Sequence, residues 1–161
     1  MIHLVSASPA QTGAIGEAVG ALAEPGDLLL LSGELGAGKT VFAQGFARGL
    51  GVEGTVTSPT FTLVHSYSGR LEMLHADAYR LNRLQEVIDL ALPEALDDGG
   101  VALIEWGDAA ASTFSPDYLW VRIDFDPSDD ERRQVTLRVV GRSWAPREAL
   151  LRKAVADWEQ P

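Results

Sequence analysis

Apolar residues recur along this chain in two rhythms, and the changes between them mark out its elements. Across residues 11–23, Ala14, Ile15, Ala18, Val19 and Leu22 are spaced as one face of a helix, which Pro25 and Gly26 stop. The ten residues before it read as a short lead-in. Residues 27–32, Asp27-Leu28-Leu29-Leu30-Leu31-Ser32, form a continuous apolar run that suits a strand buried on both faces of a parallel sheet. In residues 39–50, Val41, Phe42, Phe46 and Leu50 return to helical intervals, with Gly51 placed to end the helix. This gives strand, glycine-rich loop, helix.

The pattern then predicts a loop over residues 51–59, a strand over 60–67 ending at Ser68-Gly69, and a hairpin partner over 71–76. A helix is expected over 79–96, interrupted at Pro93. Asp97-Asp98-Gly99-Gly100 supplies a turn before an apolar strand at 101–106, expected to lie centrally. Residues 118–125 and 134–140 alternate as antiparallel strands do, with a polar link over 126–133, and 147–158 closes the chain as a helix. With no repeat, low-complexity tract or linker, residues 1–161 are expected to form a single α/β domain: a mostly parallel mixed sheet flanked by helices.

Composition narrows the function classes. The chain has 161 residues, 46% of them hydrophobic, enough for a single core. Thirteen basic residues against twenty-three acidic ones give a net charge of −10, so the surface as a whole would repel nucleic acid and an unaided tRNA or DNA binder is disfavoured. The absence of cysteine excludes disulfides, thiolate metal sites and a cysteine nucleophile. No segment approaches the roughly 18 apolar residues of a membrane span, and residues 1–10 show no basic stretch followed by an apolar run, so the expectation is a soluble cytoplasmic protein.

The chemistry concentrates in Gly33-Glu34-Leu35-Gly36-Ala37-Gly38-Lys39-Thr40, which satisfies G-x-x-x-x-G-K-[ST] between a predicted strand and a predicted helix, the P-loop context. Glycines let successive N–H groups turn inward toward phosphate oxygens, and the following helix adds the positive end of its dipole. Lys39 would reach the β- and γ-phosphates, and the Thr40 hydroxyl would give magnesium one oxygen. The cofactors expected are therefore ATP and Mg2+, with residues 34–40 and Val41 around the nucleotide. Lysine occurs at two positions in the whole sequence, 39 and 153, so a chance match to this pattern is rare.

Hydrolysis needs an acid near the loop, usually at the end of a sheet strand. Glu105 ends the run Val101-Ala102-Leu103-Ile104 and is expected to hold magnesium, directly or through water. Asp77 follows Leu71 to Ala76 in the same way and is expected to support the metal from behind or to orient the attacking water, with a helix N-cap as the plainer reading. Thr57-Ser58-Pro59-Thr60 sits where nucleotide switches place a γ-phosphate sensor, and is equally compatible with a turn. His75 reads more readily as a packing histidine than as a general base. Trp106 either stacks near the nucleotide or packs at a strand end, and Tyr79 and Arg80 either contact phosphate or a partner or begin a solvated helix.

Taken together, four blocks in order resemble the TsaE (YjeE) family, the small ATPases of bacterial tRNA threonylcarbamoyladenosine biosynthesis. They are the loop from Gly33 to Thr40, then Ser58-Pro59-Thr60-Phe61-Thr62-Leu63-Val64, then His75-Ala76-Asp77-Ala78-Tyr79-Arg80-Leu81, then Ile104-Glu105-Trp106-Gly107-Asp108. The resemblance spans nearly the whole chain. It implies a partner-stimulated ATPase that joins the TsaB–TsaD heterodimer, meets tRNA indirectly through that complex and contacts no membrane. It associates Asp77 and Glu105 with magnesium and hydrolysis and points to Thr12 for the adenine pocket. Gln11 stands where the family often has an acid, and Arg132 or Arg133 is a weaker candidate to approach the nucleotide. A small-molecule kinase, a GTPase and a non-hydrolytic nucleotide-gated module are the rivals. The GTPase is disfavoured because no Asn-Lys-x-Asp segment is present.

Overall fold

The computed structural model describes residues 1–57, 64–77, 92–105 and 115–161. Its elements are strand β1 (Ile2–Ser6), helix α1 (Pro9–Ala21), β2 (Leu28–Ser32), α2 (Lys39–Gly49), β3 (Val64–Tyr67), β4 (Met73–Asp77), β5 (Val101–Glu105), β6 (Tyr118–Asp126), β7 (Asp129–Val140) and α3 (Glu148–Ala154). Short 3-10 turns at Ala145–Arg147 and Ala156–Trp158 bracket α3. The strands form one seven-stranded sheet in the order β1-β7-β6-β2-β5-β4-β3. Its middle, β6-β2-β5-β4, is parallel throughout, while antiparallel strands complete both sides. The mixed α/β architecture expected from the sequence is the one observed.

Every residue of β2 and β5 is buried, as a strand covered on both faces requires. Alternation then divides the core. Leu29, Leu31, Val101 and Leu103 face a layer that contains Ile15, Phe42 and Phe46 of α1 and α2 and Leu151 of α3. Leu28, Leu30, Ala102 and Ile104 face the opposite layer with Leu92. Residues 92–97 are helical, with Pro93 in the first described turn, and the rest of the helix expected over 79–96, with its interruption at Pro93, lies outside the described residues.

Helix α1 starts where Ser8 accepts a hydrogen bond from the Gln11 amide at 3.3 Å and Pro9 occupies the first turn, where its missing N–H costs nothing. It meets α2 at backbone contact. A Cβ added at Gly16 would lie 2.3 Å from the Phe42 carbonyl oxygen, and one at Gly45 only 1.9 Å from that of Gly13. Helix α2 ends at Gly49 and is capped at Leu50, followed by Gly51 at φ +73°, the left-handed residue expected there.

Three expectations need correction. The lead-in contains a strand, β1, whose pairing with β7 rather than any long apolar run creates it. The polar link over 126–133 is mostly strand: β7 begins at Asp129, and an irregularity between Phe125 and Asp126 accommodates the tight turn. The closing helix is shorter than 147–158 because 3-10 turns replace both its ends. The hairpin of β3 and β4 forms as expected, with Val64 opposite Ala76 and Tyr67 opposite Met73. Among the described residues no helix is long and apolar enough to cross a membrane.

Candidate functional site

The glycine-rich loop leaves the carboxyl end of β2, the middle strand, and delivers the chain into α2. Gly36 and Gly38 adopt φ of +81° and +113°, which L-residues with side chains rarely do. At Gly33 the reason for glycine is space as well, since a Cβ would lie 2.4 Å from the Ile123 carbonyl oxygen on β6. Glu34, Leu35 and Gly36 are exposed and Ala37 is buried, so the loop stands on an apolar foot. The Ala37 amide donates to Glu34 O at 3.1 Å, and the first bond into α2 runs from Phe42 N to Gly38 O at 3.0 Å. Lys39 Nζ donates to Gly33 O at 2.7 Å and to Glu34 O at 3.0 Å, holding the ammonium over the loop. Thr40 and Val41 occupy the first turn of α2, half-buried, beside the amino end of α1.

Thr12 is buried against this loop, its methyl carbon 3.7 Å from where a Gly38 Cβ would stand. Its hydroxyl shares a 2.7 Å hydrogen bond with Ser6 Oγ, so it is the methyl that lies toward the loop. Arg133 reaches the loop from β7: its Nε donates to Ala37 O at 3.1 Å, while its guanidinium carbon lies 4.6 Å from the centre of the Phe125 ring. Arg132 turns instead toward Asp126, with Nε 3.7 Å from Oδ2. A side-chain hydrogen bond from Ser128, joined by the Ser128 backbone N–H, Gln134 and the Arg132 charge, holds the Asp126 carboxyl below its usual pKa. Of the two arginines weighed from sequence, the structure brings Arg133 to the loop.

The acids meet the loop through strand register. Leu31 of β2 is level with Glu105 of β5, and Asp77 of β4 is level with Glu105 on its other side. Alternation puts His75, Asp77 and Glu105 on the sheet face shared by Leu31 and Leu103, beneath α2. Glu105 is 3% exposed and His75 0% exposed, and Glu105 Oε2 lies 3.8 Å from His75 Nε2. Glu105 Oε1 and both imidazole nitrogens are buried without a hydrogen-bond partner among the described residues. Parallel pairing thus gathers Lys39, Thr40, Asp77 and Glu105 at one edge, the carboxyl ends of β2, β4 and β5.

Thr57 begins the expected switch segment and lies near β3, its amide 3.4 Å from the Tyr67 hydroxyl oxygen. Ser58, Thr60, Tyr79, Arg80 and Trp106 lie outside the described residues. Among the described residues no group of three or more histidines and acids stands ready for a metal. Magnesium beside a triphosphate needs only one or two protein oxygens, because phosphates and waters supply the rest. The Thr40 hydroxyl and the buried Glu105 carboxylate, whose Oε1 has no hydrogen-bond partner among the described residues, fit that requirement.

A middle parallel strand feeding a glycine-rich loop and then a helix, with acids at the ends of adjacent strands, is the architecture of the phosphate-loop class of α/β proteins. The chain belongs to the TsaE family: the family model described as "Threonylcarbamoyl adenosine biosynthesis protein TsaE" matches residues 6–135. The tRNA threonylcarbamoyladenosine biosynthesis protein TsaE of Treponema pallidum is 43% identical over 136 residues, 84% of this chain and 99% of the relative. Those of Bacillus subtilis and Streptomyces coelicolor are 41% and 44% identical, covering 83% and 81% of this chain and 83% and 92% of their own lengths. The crystal structure of Bacillus subtilis YdiB superposes with a TM-score of 0.73 at 32% identity, covering 98% of this chain and 97% of that one.

Proposed function

We propose that this TsaE-family protein is a cytoplasmic ATPase, one P-loop domain over residues 1–161, that serves the TsaB–TsaD heterodimer in forming threonylcarbamoyladenosine on tRNA. The observation that carries the reading is the convergence, at the carboxyl ends of the strands, of the loop from Gly33 to Thr40 with the buried Glu105 carboxylate, level with Leu31 on the strand next to β2. Loop amides from Glu34 to Thr40 would bind the β-phosphate, and Lys39 would exchange its carbonyl partners for phosphate oxygens. Thr40 and Glu105 would hold Mg2+, whose charge offsets that of the triphosphate. Asp77 would orient the attacking water, and the Thr12 methyl and Val41 would line the nucleoside side.

A net charge of −10 supports a division of labour in which partners grip the tRNA and this subunit supplies hydrolysis. Partner stimulation is expected where a second protein orders or completes a site. The test is reconstitution with TsaB–TsaD and tRNA, scoring phosphate release and modified adenosine together. Lys39→Ala should lower phosphate release by on the order of 10²-fold, the cost of losing one preorganised cationic donor. It should abolish modification in parallel. Retention of both signals would overturn the reading, and phosphate transfer to a metabolite would establish a kinase instead.

A further inference from the structure

We propose that His75 is a positioning residue for Glu105. Its Nε2–H would donate to Glu105 Oε2, fixing the carboxylate so that Oε1 points to the metal. This inference rests on the magnesium role proposed for Glu105.

Geometry comes first. His75 lies opposite Leu103 on β5, one diagonal step behind Glu105, while Asp77 stands directly opposite Glu105. The carboxylate is therefore approached from the side by Asp77 and from the core side by the imidazole. The Nε2 to Oε2 separation is 3.8 Å, so a shift of under about 1 Å would close it to an ordinary hydrogen bond. The two carboxylate oxygens are already distinguished, since Oε2 faces the ring and Oε1 is buried without a partner among the described residues.

The packing explanation for His75 predicts something else. A histidine retained for shape should have its nitrogens satisfied, because buried polar atoms without partners are costly and an apolar side chain fills space without that cost. Here both nitrogens lack a hydrogen-bond partner among the described residues at 0% exposure, between Met73 in the core and Asp77 at the end of β4. The buried polar group recorded beside Nε2 is the Glu105 carboxylate, with Oε2 at 3.8 Å, and a hydrogen bond there would fix the plane of that carboxylate. Replacing a group that orients a metal-binding side chain typically costs about 10–100-fold in metal affinity or activity.

The experiment follows magnesium-dependent binding of a fluorescent N-methylanthraniloyl ATP to the full chain, with EDTA as the metal-free reference. His75→Met keeps the volume and removes the donor. It should raise the magnesium concentration at half-saturation by about tenfold or more while leaving the affinity in EDTA unchanged. His75→Gln, whose amide can occupy the place of Nε2–H, should stay close to wild type. In a Glu105→Gln background, His75→Met should add nothing further. Equal magnesium dependence in wild type and His75→Met would overturn the inference alone, as would a His75→Gln variant as impaired as His75→Met. If wild type gains no affinity from magnesium, the ATPase reading fails, and this inference with it. Should His75→Met not fold, ring-¹⁵N spectra of wild type decide the matter. The Nε2–H tautomer with a resonance that moves when magnesium joins ATP supports the proposal, and the Nδ1–H tautomer overturns it.

Discussion

Arg147 shows how much a single side chain can organise without leaving any trace in sequence pattern. It forms two hydrogen bonds of 2.7 and 2.8 Å with Asp27, donates to Leu22 O and Ser143 O, and stacks 4.1 Å from the centre of the Trp144 ring. Burial works against its charge, but the Asp27 hydrogen bonds and charge, helped by Glu24, prevail and hold its pKa above the usual value. The pair ties the segment before α3 to the turn that starts β2, and so to the strand that carries the loop. Arg147→Ala should destabilise the fold by about 3 kcal/mol or more, because it strands a buried carboxylate. Urea unfolding measures this, and a loss no larger than that of a surface substitution would contradict it. Lys39 is the opposite case, legible from sequence because the chemistry of a phosphate loop dictates both residue type and spacing.

Helices α1 and α2 were legible as helices, but their closeness was not. Periodicity marks an apolar face and says nothing of how near a partner's backbone comes. Here Gly16, Gly20, Gly45 and Gly49 each stand within 2.4 Å, measured from an added Cβ, of a carbonyl oxygen on the other helix. That approach sets Thr12 beside Gly38, on the side of the loop where the nucleoside is proposed to bind. Gly45→Ala should cost about 1–3 kcal/mol or more through overpacking against Gly13. Gly36→Ala meets open space and should cost about 1 kcal/mol, from its left-handed φ. Thermal melting ranks the two, and a Gly36→Ala variant less stable than Gly45→Ala would reverse the account. The β6–β7 hairpin makes the complementary point. Asp129 to Arg133 read as a link because they are polar, yet ladder hydrogen bonds are made by backbone and tolerate charged side chains wherever a strand runs into solvent.

For the molecule as a whole, the excess of ten negative charges carries a direct consequence. The protein alone should show no retention of tRNA on a filter at physiological salt, and under the proposed division of labour tRNA should be retained once TsaB and TsaD are present. Salt-sensitive binding by the isolated chain would reverse that assignment. What the sequence determined by itself was whatever depends on neighbours along the chain. This covers the buried strand from Leu28 to Ser32, the glycine loop, the start of α2 at Lys39 and the hairpin of β3 with β4. Spacing and residue type suffice there because the contacts are local. Tertiary structure decided the rest. Strand order made Glu105 a neighbour of Leu31 and Asp77, pairing with β7 turned Ile2–Ser6 into a strand, and the sheet carried Arg133 to Ala37 and Arg147 to Asp27. These partners lie tens of residues apart, and no periodicity records them because sheet register and burial, not sequence separation, set their distance.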